Sequence, residues 1–122
     1  MRMSQVRILY GPHMNVPNVQ VLPGKAQKYI VVSILSDSDT VQSLWGNPDA
    51  EWHKDIFDEI KEAGFSVDEV YGGGRIYVDS DQKQIFIWGT SDRYGTAPRP
   101  LVEELLEAEF PDYSLKFNQE PK

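Results

Sequence analysis

Apolar and polar residues along the chain follow two periods in turn, which predicts a mixture of strands and helices. Val19-Gln20-Val21 alternates and predicts a short edge strand, broken by Gly24. Tyr29 to Leu35 contains Ile30-Val31-Val32-Ser33-Ile34-Leu35, an apolar, β-branched run with Lys28 at its entrance. A run of that kind reads as a buried central strand. Ser36 to Pro48 is polar and turn-rich and is expected to be a loop. Asn47-Pro48-Asp49 then supplies a helix start, with Asn47 or Asp49 as cap and Pro48 in the first turn. That helix is expected to reach Ala63, with Gly64 as its C-cap. Trp52, Ile56, Ile60 and Ala63 fall at helical spacing and form its expected buried stripe, with His53 and Phe57 at the border.

Phe65 to Val70 alternates enough for another strand, though Asp68 and Glu69 weaken it. Gly72-Gly73-Gly74 reads as a turn. Arg75–Val78 and Lys83–Trp88 flank Asp79-Ser80-Asp81-Gln82, the signature of a hairpin. Gly89 to Pro98 is a loop, and Pro100 to Glu109 a helix with Leu101, Val102, Leu105 and Leu106 on its inner face. Pro111 stops it, and Tyr113, Leu115 and Phe117 alternate as a last strand. The expected order is β-β-α-β-β-β-α-β. That describes a single α/β (α+β) domain, with a mixed sheet of about five to six strands and two main helices packed on it.

Size and charge narrow the partners. A chain of 122 residues suits one domain and can bury a real core. Its net charge of −7 excludes a general basic face, so nucleic acid and anionic membrane surfaces are not expected partners. No segment approaches the roughly 18 apolar residues of a membrane span, and the N-terminus lacks the apolar core of a signal peptide. The chain has no cysteine, which excludes disulfides and thiolate metal sites and fits a cytoplasmic location. Residues 1–13 carry Arg2 and Arg7 but no acid, and Gly11-Pro12-His13-Met14 resembles a protease scar followed by cloning residues. They are expected to be a foreign expression leader, with residues 14–122 forming the single native domain. Without the leader the charge is −9, ten Lys/Arg against nineteen Asp/Glu, and His53 is the one remaining histidine.

Four places could carry chemistry. His53 falls in the first turn or so of the first helix, where free N–H groups and the helix dipole favour an anion. An imidazole there can activate water or attack phosphorus near neutral pH; taken alone, it could equally be a packing residue. Gly72, Gly73 and Gly74 could form an anion-binding nest or simply permit a tight turn. They precede a strand, so they are neither a Walker loop nor a dinucleotide fingerprint. Arg75 follows them and suits bidentate phosphate contact. Gly89-Thr90-Ser91-Asp92-Arg93-Tyr94-Gly95 follows a strand, where loop hydroxyls and N–H groups often meet ligands. The acids Asp49, Glu51, Asp55, Asp58, Glu59 and Glu62 read as the solvent face of the first helix, so no metal site is expected.

The ordered blocks Ala50-Glu51-Trp52-His53-Lys54-Asp55-Ile56-Phe57-Asp58, Gly72-Gly73-Gly74-Arg75-Ile76, Gly89-Thr90-Ser91-Asp92-Arg93-Tyr94-Gly95 and Phe110-Pro111-Asp112-Tyr113 closely resemble the janus family. The resemblance runs from about Lys28 to Phe117. It implies a metal-free, cofactor-free hydrolase of phosphohistidine that acts as a monomer on phosphohistidine-containing proteins or peptides. It implies that His53 is catalytic, as general base or nucleophile. By the same resemblance Lys28, Arg75 and Ser91 bind phosphate, and the N–H groups of His53, Lys54 and Arg93 complete the cradle. Gly72, Gly73, Gly74 and Trp52 support the site. Three positions depart from the family pattern: Trp52 stands where tyrosine is familiar, and Lys54 and Arg93 replace small residues. Both cations add positive charge and imply tighter phosphate binding or an altered substrate preference. Two alternatives remain: a phosphoprotein-binding module with little turnover, and a phosphatase preferring phospholysine, phosphoarginine or small phosphoramidates.

Overall fold

The structure, a computed structural model, describes residues 15–122, and the expected leader 1–13 lies outside the described residues. Six strands and two helices follow in the order β1 (Val19–Gln20), β2 (Gln27–Ser36), β3 (Asp39–Asn47), α1 (His53–Glu62), β4 (Val67–Asp79), β5 (Gln84–Trp88), α2 (Arg99–Glu109) and β6 (Ser114–Phe117). They form one sheet of order β1-β3-β2-β4-β5-β6. The β1–β3 and β5–β6 pairs are parallel and the others antiparallel, so the sheet is mixed as expected.

Alternation along β2 places its side chains on two cores. Ile30, Val32 and Ile34 pack with Trp45 and with Ile56 and Ile60 of α1. Tyr29 and Val31 join Ile76, Val78, Ile85 and Ile87 under Val102, Leu105 and Leu106 of α2. The helices therefore cover opposite faces, and β2 is buried on both, as its largely apolar run predicts. Among the described residues no helix is long and apolar enough to cross a membrane.

Two expectations are corrected. The stretch Ser36–Pro48 is not a loop: all but its start and end is β3, which pairs with β2 over nine residues, from Lys28↔Asn47 to Ser36↔Asp39. The polar Ser36-Asp37-Ser38-Asp39 run only turns the hairpin, with Asp37 in the left-handed region at φ 57°, a conformation that Asp tolerates better than most residues. Ser43 looks polar in sequence but is buried, accepting from the Trp45 indole N–H at 2.7 Å and donating to the Pro17 carbonyl.

The triple glycine is not a turn either. Gly72, Gly73 and Gly74 lie inside the continuous strand β4, paired with Val31, Ile30 and Tyr29. Tyr71 is an extra residue opposite β2 just before Gly72, a bulge that bends the strand. The glycines are there because neighbours come close. A Cβ on Gly72, which also has φ 142°, would stand 2.6 Å from the backbone at Thr96 and Ala97. One on Gly73 would run into the Tyr29 carbonyl and come within 3.1 Å of the His53 ring.

Candidate active site

One row of the sheet builds the site. Asn47, Lys28, Arg75 and Trp88 are consecutive partners across β3, β2, β4 and β5. The chain leaves β3 at Asn47 and reaches the N-terminus of α1 within a few residues; it leaves β5 at Trp88 and enters the loop holding Ser91. Both exits deliver their candidate residues to the same edge of the sheet. There Lys28, Glu51, Trp52, His53, Lys54, Arg75, Thr90, Ser91, Asp92 and Arg93 line an open cleft of about 460 Å³. The cleft thus gathers His53, Lys28, Arg75, Ser91, Lys54, Arg93 and Trp52 from four separate segments. The triple glycine stays beneath it: the Gly73 N–H is donated to Gly95 O at 2.9 Å and its carbonyl accepts from Ala97 N. The glycines let the His53 ring and the β5–α2 loop come close; they do not form an anion nest.

Helix α1 begins later than the sequence suggests. Trp52 is its N-cap, in extended conformation, and His53 is its first residue. Asn47 instead caps the preceding turn, accepting from the Asp49 N–H at 2.8 Å. The Asp55 carboxylate accepts from the Trp52 N–H at 2.9 Å and fixes the cap. With this start the buried stripe is His53, Ile56 and Ile60, while Trp52, expected inside, is 63% exposed. Ala63, expected in the same stripe, is also exposed.

His53 is 8% exposed, and its Nε2 lies 3.0 Å from the Gly74 carbonyl oxygen. A carbonyl only accepts, so Nε2 carries the hydrogen and Nδ1 is left with the lone pair in the neutral ring. Burial holds the imidazole below its ordinary 6.5, and the nearby Lys28 and Arg75 charges push the same way. The Gly74 hydrogen bond and Asp92 oppose them. The net result is a histidine that stays neutral, and so basic, at neutral pH.

The cations around it are unequal. Lys28 and Arg75 face each other directly across adjacent strands, an arrangement in which the two like charges repel. Among the described residues the ion pairs are Lys54–Asp58 and Arg99–Glu103, so neither Lys28 nor Arg75 has a carboxylate partner. An anion between them would relieve the repulsion. Lys54 is more committed, because it donates to Asp58 at 2.7 Å across one helical turn, and that bond raises its pKa. Arg93 lies 5.8 Å from the centroid of the Tyr94 ring. Ser91 is 2% exposed, and its Oγ accepts from the Tyr94 N–H at 3.0 Å, leaving its own O–H free to donate. The backbone pair Ser91 N to Gly95 O and Gly95 N to Ser91 O closes this loop into a small ring. The N–H groups of His53 and Lys54, in the first turn of α1, have no acceptor one turn back within the helix.

Glu51, Thr90 and Asp92 also line the cleft; the sequence places them within the histidine block and the Gly89–Gly95 loop but assigns them no role of their own. Each is the chain neighbour of a residue to which the sequence does assign a role, Trp52 or Ser91. Among the described residues no three His, Cys, Asp or Glu side chains are grouped so as to hold a metal ion.

The profile of the Janus/Ocnus family (Ocnus) matches residues 13–114. The chain belongs to the Janus/Ocnus family. Similar members carry two kinds of name. The sex-regulated protein janus-A of Drosophila orena is 31% identical over 110 residues, 86% of this chain and 81% of that protein. The 14 kDa phosphohistidine phosphatase of Sus scrofa is 31% identical over 111 residues, 82% of this chain and 87% of that protein. The phosphatase of the same name from Homo sapiens is 29% identical over 111 residues, 82% of this chain and 88% of that protein. Every residue of the cleft lies within the Janus/Ocnus match.

Proposed function

We propose that this protein is a metal-independent phosphohistidine phosphatase with His53 as its reacting group. One observation carries the reading: a buried imidazole is held at a helix N-terminus, beside two facing cations that have no carboxylate partner among the described residues. The likeness to proteins named phosphohistidine phosphatase supplies the substrate class. Lys28, Arg75, the Ser91 hydroxyl and the N–H groups of His53, Lys54 and Arg93 would hold the phosphoryl oxygens as charge spreads over them.

The chemistry needs little else. Protonation of the substrate ring turns it into a good leaving group. The P–N bond then breaks with its electron pair going to the ring nitrogen. In one route Nδ1 of His53 takes a proton from an in-line water while the new P–O bond forms. In the other Nδ1 attacks phosphorus first, and water later releases phosphate. An acid-labile phosphoenzyme trapped by rapid quench would establish the second route, and its absence in single turnover the first.

The deciding experiment is phosphate release from a phosphohistidine peptide in EDTA, wild type against His53→Ala. Turnover in the wild type that vanishes in the variant is expected. Equal turnover in both would remove His53 from the mechanism. A second reading, a phosphoprotein-binding module, is favoured by relatives of equal identity whose names carry no activity. Peptide binding without turnover in the wild type would establish it. Location in the cytoplasm, a monomeric state and independence from cofactors belong to the same proposal.

A further inference from the structure

The N-cap of α1 holds an unexplained feature. Trp52 is 63% exposed, the most exposed of the large apolar side chains among the described residues. The other two tryptophans are accounted for: Trp45 is buried and hydrogen-bonded to Ser43, and Trp88 is half-buried on β5. Trp52 has no ring or cation partner among the described residues. An isolated exposed apolar residue is ordinary by itself. This one, however, borders the cleft immediately before His53. Its backbone is also held on both sides: its N–H is donated to Asp55 Oδ2 and its carbonyl accepts from Asp55 N at 3.0 Å. A large exposed indole on a fixed stretch of backbone, uncovered among the described residues, thus stands at the rim of the cleft beside His53.

We propose that Trp52 is a stacking platform for the ring that carries the phosphoryl group, and that it selects planar aromatic phosphoramidates over aliphatic ones. The inference rests on the phosphohistidine reading and adds the residue that would set its selectivity. The physical basis is the face of the indole. It attracts a flat ring by offset stacking and attracts it more once that ring is protonated, when a cation–π contribution is added. A phospholysine side chain offers neither a flat face nor delocalised charge, so it gains only ordinary apolar contact.

The test uses the full chain and two peptides of the same sequence. One carries a non-hydrolysable phosphonate on a triazole ring in place of phosphohistidine, the other the phosphonate on an alkyl chain. Calorimetry is run on wild type, Trp52→Ala and Trp52→Phe, alongside kcat and KM for phosphohistidine and phospholysine peptides. Trp52→Ala is expected to weaken the triazole peptide roughly three- to tenfold. The alkyl peptide should lose far less, Trp52→Phe should recover most of the loss, and the kinetic loss should fall on KM. Equal weakening of both peptides, or of neither, would overturn the platform, as would failure of the triazole peptide to bind; an alkyl peptide that binds no variant while the triazole peptide depends on Trp52 would support it. If the triazole peptide binds with this dependence on Trp52 but the wild type shows no turnover, the phosphatase reading fails and the platform stands.

Discussion

The two faces of the sheet differ in how they end. Under α2 the core is closed: Val31, Ile76, Val78, Ile85 and Ile87 meet Val102, Leu105 and Leu106 with almost no exposure. Under α1 the core is smaller, built on Ile30, Val32 and Ile34 against Ile56 and Ile60, and beyond Ile30 the same face of β2 continues to Lys28. There α1 has only begun, Arg75 faces Lys28, and His53 is buried where the core gives way to the cleft. One strand thus serves two purposes through alternation. Its α2-side residues contribute stability, and its α1-side residues run from core into a polar cleft. Helix α1 anchors a core with Ile56 and Ile60 and presents its dipole and His53 to the cleft.

If the faces divide the work this way, substitutions should separate activity from stability. The largest effect is expected from His53→Ala, which should lower kcat/KM for a phosphohistidine peptide by on the order of 10²–10⁴-fold, the usual contribution of a positioned acid–base group. Its thermal midpoint should move little, because the ring makes one hydrogen bond. A midpoint that collapses with activity would make His53 structural. Leu106→Ala should do the converse. Leu106 is fully buried under α2, and the cavity should cost about 2–5 kcal/mol in denaturant unfolding. Its kcat/KM, measured where the variant is folded, should remain near wild type. A large loss there would show that the α2 face shapes the cleft.

Gly73→Ala should blur the division. The added methyl would press on the Tyr29 carbonyl and on the His53 ring, so it should cost roughly 1–3 kcal/mol of stability and lower activity together. Normal activity in a folded Gly73→Ala protein would show that the ring does not depend on this close packing. The position also marks what sequence could and could not show. Lys28 was legible because a charged residue at the entrance of a long apolar strand lies at an end of the sheet. His53 was legible because Pro48 and the stripe beyond it announce a helix start. The triple glycine was misread because its cause is distant in sequence: the backbone at Tyr29, Thr96 and Ala97 and the His53 ring come within reach only when β2, β4 and the β5–α2 loop assemble. Strand β3 was hidden because Ser and Asp dominate its turn, while its polar Ser43 is satisfied by Trp45 and Pro17, which no local pattern shows. Trp52 was placed in the core because two turn-forming residues, Asn47 and Asp49, suggested an early cap. The structure uses Asn47 for a turn before the helix and starts α1 later.

The smallest effect expected is the most specific. Because burial and the two cations hold His53 below its ordinary 6.5, the acid limb of kcat/KM should have its midpoint below that value. Lys28→Met removes one cation, so protonated His53 becomes easier to form and the limb should move upward, toward 6.5. It should move only part of the way, since burial is the larger cause and is unchanged. Stability should follow the same group with the same sign. The unfolded chain binds the proton more readily than the folded one, so the contribution of His53 is fully present above its unfolded value. It is lost as pH falls from 6.5 through the depressed folded value, and Lys28→Met should narrow that window. Proton NMR of the His53 ring gives the folded midpoint directly, and the pH profile gives its kinetic counterpart. A limb that stays in place or moves down in Lys28→Met would mean that Lys28 does not act on the imidazole. The open end of the α1 face would then be a set of independent surface charges.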